Sequence, residues 1–257
     1  MRTDSTAPAV PPRLACFAWL AWCVWLAMQC VAAPARAQPN SQARLEALAR
    51  LPDWSGVWEV EGSTATLEPA NAADAEPRDH APFTAEWEAR YAQVRDALPS
   101  QSDSRLRYCA AGMPRLMASS ARFIALVTPE QTLLQFATRE IRHIWTDGRA
   151  HPSAEELRPT AWGDSIGHWE AETLVIDTVA VKADRWLDPT GATLSGQARI
   201  FERLSMPERN HLQDEITIVD PVALRAPWRF TRSYRRAPTK ELGEQQCGWT
   251  PVSVAAP

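Results

Sequence analysis

Four ionisable residues lie on segments where side chains alternate between apolar and polar, and they are the first candidates for chemistry. They are His143, Asp177, Glu202 and Arg232, and each has apolar residues two positions away on both sides. Because side chains alternate along a β-strand, each candidate shares a strand face with those apolar neighbours. If these faces line a closed barrel, His143 can move a proton, Asp177 or Glu202 can orient it, and Arg232 can stabilise a developing anion.

The same four residues also fit two arrangements without chemistry. They can form a buried ion network that only holds the fold together, because an unpaired charge inside would be costly. Alternatively, these residues lie on the outward face of their strands, since a shift of one residue in register moves every side chain to the opposite face.

Aromatic residues lie on the same predicted strands. Trp145, Trp169, Trp228 and Tyr234 are the predicted walls of a site for a flat hydrophobic ligand. Large rings that simply fill a core would use the same residues, and composition does not separate the two roles.

Residues 163–167 read Gly-Asp-Ser-Ile-Gly, which matches the G-x-S-x-G pattern of a serine nucleophile. That serine requires a turn from a strand into a helix, whereas here a loop precedes it and a strand follows. We therefore expect a turn in which the two glycines permit positive φ.

Metal and cofactor motifs are weak in this chain. His143, Asp147 and His151 lie close in sequence and could ligate a metal, but side-chain hydrogen bonds within a turn account for them more simply. We predict no metal and no cofactor, so the chemistry of a catalytic site would be that of a lyase or isomerase.

The elements that would position these residues are mostly strands. Strands are predicted at residues 53–60, 122–128, 132–146, 166–170, 173–182, 197–206, 211–220 and 228–236, and a helix begins after Thr84. About eight strands with short connections, and one or two short helices, predict an up-and-down barrel or a closed sandwich.

The N-terminal segment has the three parts of a secretory signal. Arg2 and Arg13 are followed by an apolar run over residues 14–33 and by Ala35-Arg36-Ala37, a site for signal peptidase. We expect residues 1–37 to be removed and residues 38–257 to form one domain in the periplasm, with 63–82 as a surface excursion. A retained N-terminal anchor is the alternative.

The charge of the chain limits the kinds of partner that we expect. The chain has 31 acidic and 27 basic residues and no basic cluster, so nucleic acid and anionic lipid are not expected partners. Stable membrane insertion after cleavage is not expected either.

Cys109 and Cys247 are the cysteines left after the signal, and an oxidising compartment favours a disulfide between them. Two free thiols are the alternative, and the sequence does not indicate the oligomeric state.

Several strings resemble a large family of exported, largely uncharacterised proteins of Gram-negative bacteria. They are GMPRLM at 112–117, IRHIWTDGR at 141–149 followed by His-Pro, SIGHWE at 165–170, TLVIDT at 173–178, WLD at 186–188, Glu-Arg at 202–203, and Asp-Pro at 220–221 with Trp228. The resemblance runs from about Trp54 to Cys247 and implies a barrel, and Gly56 and Trp58 resemble the G-x-W opening of lipocalins. It implies no particular activity.

One stretch departs from that family's pattern. Around residues 191–203 the family usually carries two histidines, whereas this chain has Leu194 and Arg199 in those places. If those histidines serve chemistry in the relatives, this protein has a changed substrate or has become a binder. The sequence thus predicts a lipocalin-like barrel that binds, and transforms by acid–base chemistry, a small hydrophobic or aromatic molecule. The alternative is a non-catalytic structural or carrier protein of the cell envelope.

Overall fold

The computed structural model describes residues 41–61, 81–97, 112–118, 122–183, 187 and 192–243. The chain divides into a segment Met1–Arg44 and a compact unit Leu45–Pro257. The predicted signal, most of the predicted excursion, Cys109 and Cys247 lie outside the described residues. Within them, no helix is long and apolar enough to cross a bilayer.

The described chain contains three helices and nine strands. The helices are α1 (Ser41–Leu48), α2 (Ala85–Ala97) and α3 (Arg115–Ala118). The strands are β1 (Val57–Val60), β2 (Phe123–Val127), β3 (Gln131–Phe136), β4 (Ile141–Trp145), β5 (Asp164–Glu170), β6 (Thr173–Val179), β7 (Arg199–Glu208), β8 (His211–Val219) and β9 (Trp228–Arg236).

The nine strands form a closed barrel in sequence order, with β1 paired to β9. This confirms the predicted mostly β barrel with short helices. The burial pattern alternates along β7, β8 and β9, as expected where one strand face is buried and the opposite face meets water. Apolar side chains from all nine strands fill the inside.

Inward side chains on β5 to β9 lie in three rows that follow the backbone pairing. The first row is Trp169, Leu174, Leu204, Asp214 and Arg232; the second is Gly167, Ile176, Glu202, Ile216 and Phe230; the third is Ser165, Thr178, Ile200, Ile218 and Trp228. Polar groups therefore occur in every row, between large apolar residues.

The predicted strand 132–146 is in fact two strands. The chain turns between Phe136 and Ile141, where Arg139 has a φ of 70°. Strand β5 then pairs with β4 in parallel through Trp145 and Ile166, while the remaining neighbouring strands are antiparallel. Trp145 is the last residue of β4 and Ile166 the third of β5, so the two strands overlap only at their adjoining ends, and residues 146–163 form the connection between them.

Helix α2 begins where predicted, because Thr84 caps it. The Thr84 hydroxyl accepts a hydrogen bond from the backbone N–H of Trp87 at 3.3 Å. The indole of Trp87 in turn donates to the carbonyl of Thr193 at 2.8 Å, and Phe83 forms an antiparallel bridge with Leu224. These contacts fix α2 against the loops that flank β7 and β9.

Candidate functional site

Two of the four predicted catalytic residues do not face the barrel interior. His143 is exposed, and Asp177 is partly exposed on the outer wall, where it binds Arg199 through two hydrogen bonds. The predicted inward face of β4 is wrong: Ile141 is 44 % exposed, whereas Arg142 is 1 % exposed. The outer face of β4 carries Ile141 and Trp145, whereas the inner face carries Arg142 and Ile144, so apolar residues occur on both faces.

Glu202 and Arg232 do face the interior, as predicted, and the partner of Glu202 is Arg142. The two guanidinium nitrogens Nη1 and Nη2 of Arg142 donate to Oε1 and Oε2 of Glu202 at 2.8 and 2.5 Å. Nη2 also lies 3.2 Å from the hydroxyl of Thr178 and 3.4 Å from that of Ser165. Both charged side chains are almost fully buried, so this is a desolvated, bidentate ion pair.

Asp214, like Arg142, is an interior residue that was not predicted from the sequence. It has no exposed surface and pairs across the sheet with Leu204 on one side and Arg232 on the opposite side. Glu202 lies on the same face of β7 as Leu204, which makes Glu202 and Asp214 diagonal neighbours. Within the described part of the chain, neither carboxyl oxygen of Asp214 accepts a hydrogen bond.

The surroundings of Asp214 favour its neutral form. Burial raises the pKa of the Asp214 carboxyl well above its usual range, and the negative charge of Glu202 raises it further. A protonated Asp214 can also donate to the Glu202 carboxylate, which acts in the same direction, while the guanidinium groups of Arg142 and Arg232 oppose these effects. Asp214 is therefore held as a carboxylic acid under conditions in which an exposed aspartate is ionised.

Tyr234 completes the polar interior. Its hydroxyl donates to the backbone carbonyl of Met117, and its ring meets Phe123 edge to face at a centroid distance of 5.2 Å. Burial raises the pKa of Tyr234 well above its usual value, so it acts as a neutral hydrogen-bond donor. Tyr234 therefore faces the interior, and its predicted role as a wall of a ligand site stays a prediction.

The three predicted tryptophans occupy different environments. Trp145 lies on the outer wall, where the guanidinium carbon of Arg149 is 3.8 Å from its ring centroid. Trp169 packs on Trp54 with centroids 5.1 Å apart, and Trp228 faces inward against Phe230 at 4.9 Å. Trp169 and Trp228 therefore belong to the interior, whereas Trp145 does not.

A second polar cluster lies on the outer wall of β5 and β6. His151, in the connection between β4 and β5, has Nδ1 at 2.5 Å from an Asp164 oxygen and Nε2 at 3.6 Å from an Asp177 oxygen. Asp177 also binds Arg199. This cluster pins the connection to the wall, and among the described residues no group of three ligand-type side chains has the spacing of a metal site.

The serine of the G-x-S-x-G string is not a nucleophile on a turn. Ser165 is buried in strand β5, and its hydroxyl lies 2.8 Å from that of Thr178. Gly163 has a φ of 71°, as predicted, but Gly167 lies within the strand and does not have a positive φ. Gly167 is required for packing instead: a Cβ there would lie 3.2 Å from the side chains of Ile144 and Leu174.

A groove of about 660 Å³ lies outside the barrel, lined by Phe83, Thr84, Glu88 and Arg225 among others. It adjoins the start of α2 and includes none of the predicted site residues. Its position does not connect it with Glu202, Asp214 or Arg142.

Comparison of the chain with protein-family models and with curated proteins found no match.

Proposed function

We propose that this protein is an exported binding protein whose barrel holds a small hydrophobic or aromatic molecule next to Asp214. We further propose that Asp214 and Glu202 exchange a proton with that molecule in a lyase- or isomerase-type reaction. Export is supported by the charged, apolar and Ala-x-Ala parts of residues 1–37.

The observation that carries the proposal is the buried carboxyl of Asp214, whose oxygens accept no hydrogen bond from the described residues. Leaving such an acceptor unsatisfied costs about 1–3 kcal/mol. Buried polar groups of this kind are rare in folded proteins, and a ligand or a catalytic role is a common reason for them. A ligand hydroxyl or amine that hydrogen-bonds with Asp214 would recover that cost, which supports a binding role for this carboxyl.

The pairing of two carboxyl groups supports acid–base chemistry. Arg142 binds Glu202 as a carboxylate through two hydrogen bonds, while burial keeps Asp214 protonated. Two neighbouring carboxyls with different protonation states are the usual arrangement for one acid and one base. In this scheme Asp214 donates a proton to the ligand, Glu202 accepts one, and Tyr234 contributes a neutral hydroxyl group.

Native mass spectrometry of periplasmic material tests the proposal. The wild-type protein is expected to carry a non-covalent mass that organic solvent removes, and Asp214→Asn is expected to lose it. The matched control is His143→Gln, which changes an exposed side chain on the outer wall and should keep the bound mass. Wild-type protein without any bound mass, or Asp214→Asn with an unchanged load, would refute binding at Asp214.

The competing function is that of a structural protein of the cell envelope. It is favoured by the filled interior, in which bulky residues such as Trp58, Phe123 and Phe136 are at most 1 % exposed. Under this alternative Asp214→Asn would destabilise the fold at every pH and no ligand would be found. Under the binding proposal the same variant stabilises the empty protein while it abolishes binding, since functional groups are commonly held at a cost to stability.

A further inference from the structure

Two tryptophans with buried indole N–H groups contact each other in the barrel, near the turn between β5 and β6. Trp169 is the last inward residue of β5, and its ring contacts that of Trp54 at 5.1 Å with an angle of 58° between the planes. Trp54 is only 1 % exposed. Neither indole nitrogen meets solvent, and neither has an acceptor among the residues that the structure describes.

Two other indole N–H groups of the described chain do have acceptors. Trp58 donates to the carbonyl of Trp54 at 2.9 Å, and Trp87 donates to that of Thr193 at 2.8 Å. Trp228 also has an indole nitrogen without an acceptor in the described chain, but it belongs to the third row of inward side chains, whereas Trp169 belongs to the first. Trp54 and Trp169 are thus two tryptophans in contact, and neither indole N–H has an acceptor within the described residues.

The position of this pair relates it to the polar interior. Trp169 and Asp214 lie in the same row of inward side chains, separated by Leu174 and Leu204. A molecule whose one end reaches Asp214 would run along apolar side chains towards Trp169. Tryptophan commonly combines an apolar contact surface with one hydrogen bond in this way.

The choice of acceptor rests on the indole donors themselves, because charges of both signs lie near Trp54. Nη2 of Arg236 donates to the carbonyl of Asp53, and the Asp53 carboxylate also interacts with Arg236. Hydrogen bonds to an ionised acceptor are stronger than those to a neutral one. A negatively charged oxygen would therefore gain most from the two indole donors.

We propose that the Trp54–Trp169 pair is a binding subsite for the acidic group, a carboxylate or sulfonate, of a planar aromatic molecule. This inference rests on the proposed binding function and adds the chemical class of the ligand. Trp169 is partly exposed, unlike Trp54, so it is the residue that moves to admit the acid.

Two fluorescent probes with the same rings test the subsite. 8-Anilinonaphthalene-1-sulfonate carries the acidic group, and N-phenyl-1-naphthylamine lacks it. The wild-type protein is expected to bind the sulfonate at least about tenfold more tightly, the effect of one hydrogen bond to a charged group. Trp169→Phe keeps an aromatic ring but removes the N–H, and it should weaken sulfonate binding by about tenfold while changing naphthylamine binding less than about twofold.

Trp162→Phe is the matched control, because the Trp162 ring stacks on Phe136 and is not part of the Trp54–Trp169 contact. It should leave the affinity for both probes unchanged. A second measurement needs no variant: naphthalene-1-sulfonate should displace the bound sulfonate probe from wild-type protein, and naphthalene at the same concentration should not.

Equal affinity of the wild type for both probes, an equal loss of both in Trp169→Phe, or no binding of the sulfonate probe would overturn the subsite. A wild-type protein that carries its own ligand in native mass spectrometry but shows no preference for the sulfonate would also overturn it. In that case binding at Asp214 would stand, because the loss in Asp214→Asn is measured separately.

Discussion

Arg142 and Glu202 form a bidentate ion pair inside the barrel although their strands are not neighbours. Arg142 is on β4 and Glu202 on β7, and strands β5 and β6 lie between them in the sheet. The pair also contacts hydroxyl groups from both intervening strands, Ser165 on β5 and Thr178 on β6. One buried interaction therefore connects four consecutive strands through their inward side chains.

Breaking this pair on one side should destabilise the fold strongly. Arg142→Met leaves Glu202 buried without its counter-charge, and the expected loss is about 3–5 kcal/mol in the free energy of unfolding. The double variant Arg142→Met with Glu202→Leu removes both charges, and it should recover most of that loss because burying two ions is itself costly. Urea unfolding of the wild type, both single variants and the double variant measures the coupling. Additive losses would show that the two side chains act independently.

The His143 side chain offers a direct check on the corrected strand face. Since His143 is exposed on the outer wall, His143→Gln should change the free energy of unfolding by no more than about 0.5 kcal/mol and should leave probe binding intact. Thermal unfolding and probe titration measure the two effects. A loss of binding with an unchanged melting temperature would restore His143 as a functional residue.

The sequence predicted the closed barrel and the inward faces of β7 and β9, because on those strands apolar residues concentrate on one face and charged residues on the opposite one. On β6 both faces carry valine, leucine or isoleucine, since the outer face of the strand is only partly exposed. Alternation alone could not choose between them. The half-buried outer residues of β6 therefore look like core residues in the sequence.

The interior polar residues were predictable in part. Asp214 alternates with Leu212, Ile216 and Ile218 along β8, a pattern as clear as the one that identified Glu202. Arg142 was not predictable in this way, because its inward position depends on a partner 60 residues further along the chain. A long-range ion pair reverses the face that local hydrophobicity favours.

Gly167 is a close-packing position within strand β5. A Cβ added there would lie 3.0 Å from the carbonyl oxygen of Val175 and 3.2 Å from the side chains of Ile144 and Leu174. We expect Gly167→Ala to lower the free energy of unfolding by about 1–3 kcal/mol through overpacking. Gly196→Ala is the control, because its Cβ would meet Ala183 at an ordinary 3.7 Å. Chemical unfolding compares the two variants, and equal stabilities would contradict the packing argument.

The pH dependence of stability should identify Asp214 as a buried acid. Because burial raises its pKa in the folded state, the folded protein binds the Asp214 proton more tightly than the unfolded chain does. The resulting stabilisation is complete below the pKa of the unfolded chain and is lost as pH rises through the higher folded-state pKa. Asp214→Asn cannot lose a proton, so its stability relative to the wild type should increase as pH rises above about 4, the range in which an unfolded aspartate is ionised.

Urea unfolding at a series of pH values measures this difference between Asp214→Asn and the wild type. Glu215→Gln is the matched control, since Glu215 is the neighbour of Asp214 on the same strand. The carboxyl that this variant removes is exposed, whereas that of Asp214 is buried. The control should follow the wild-type curve closely. If Asp214→Asn also runs parallel to the wild type across this pH range, Asp214 is ionised and paired in the folded state, and its proposed role as a proton donor is wrong.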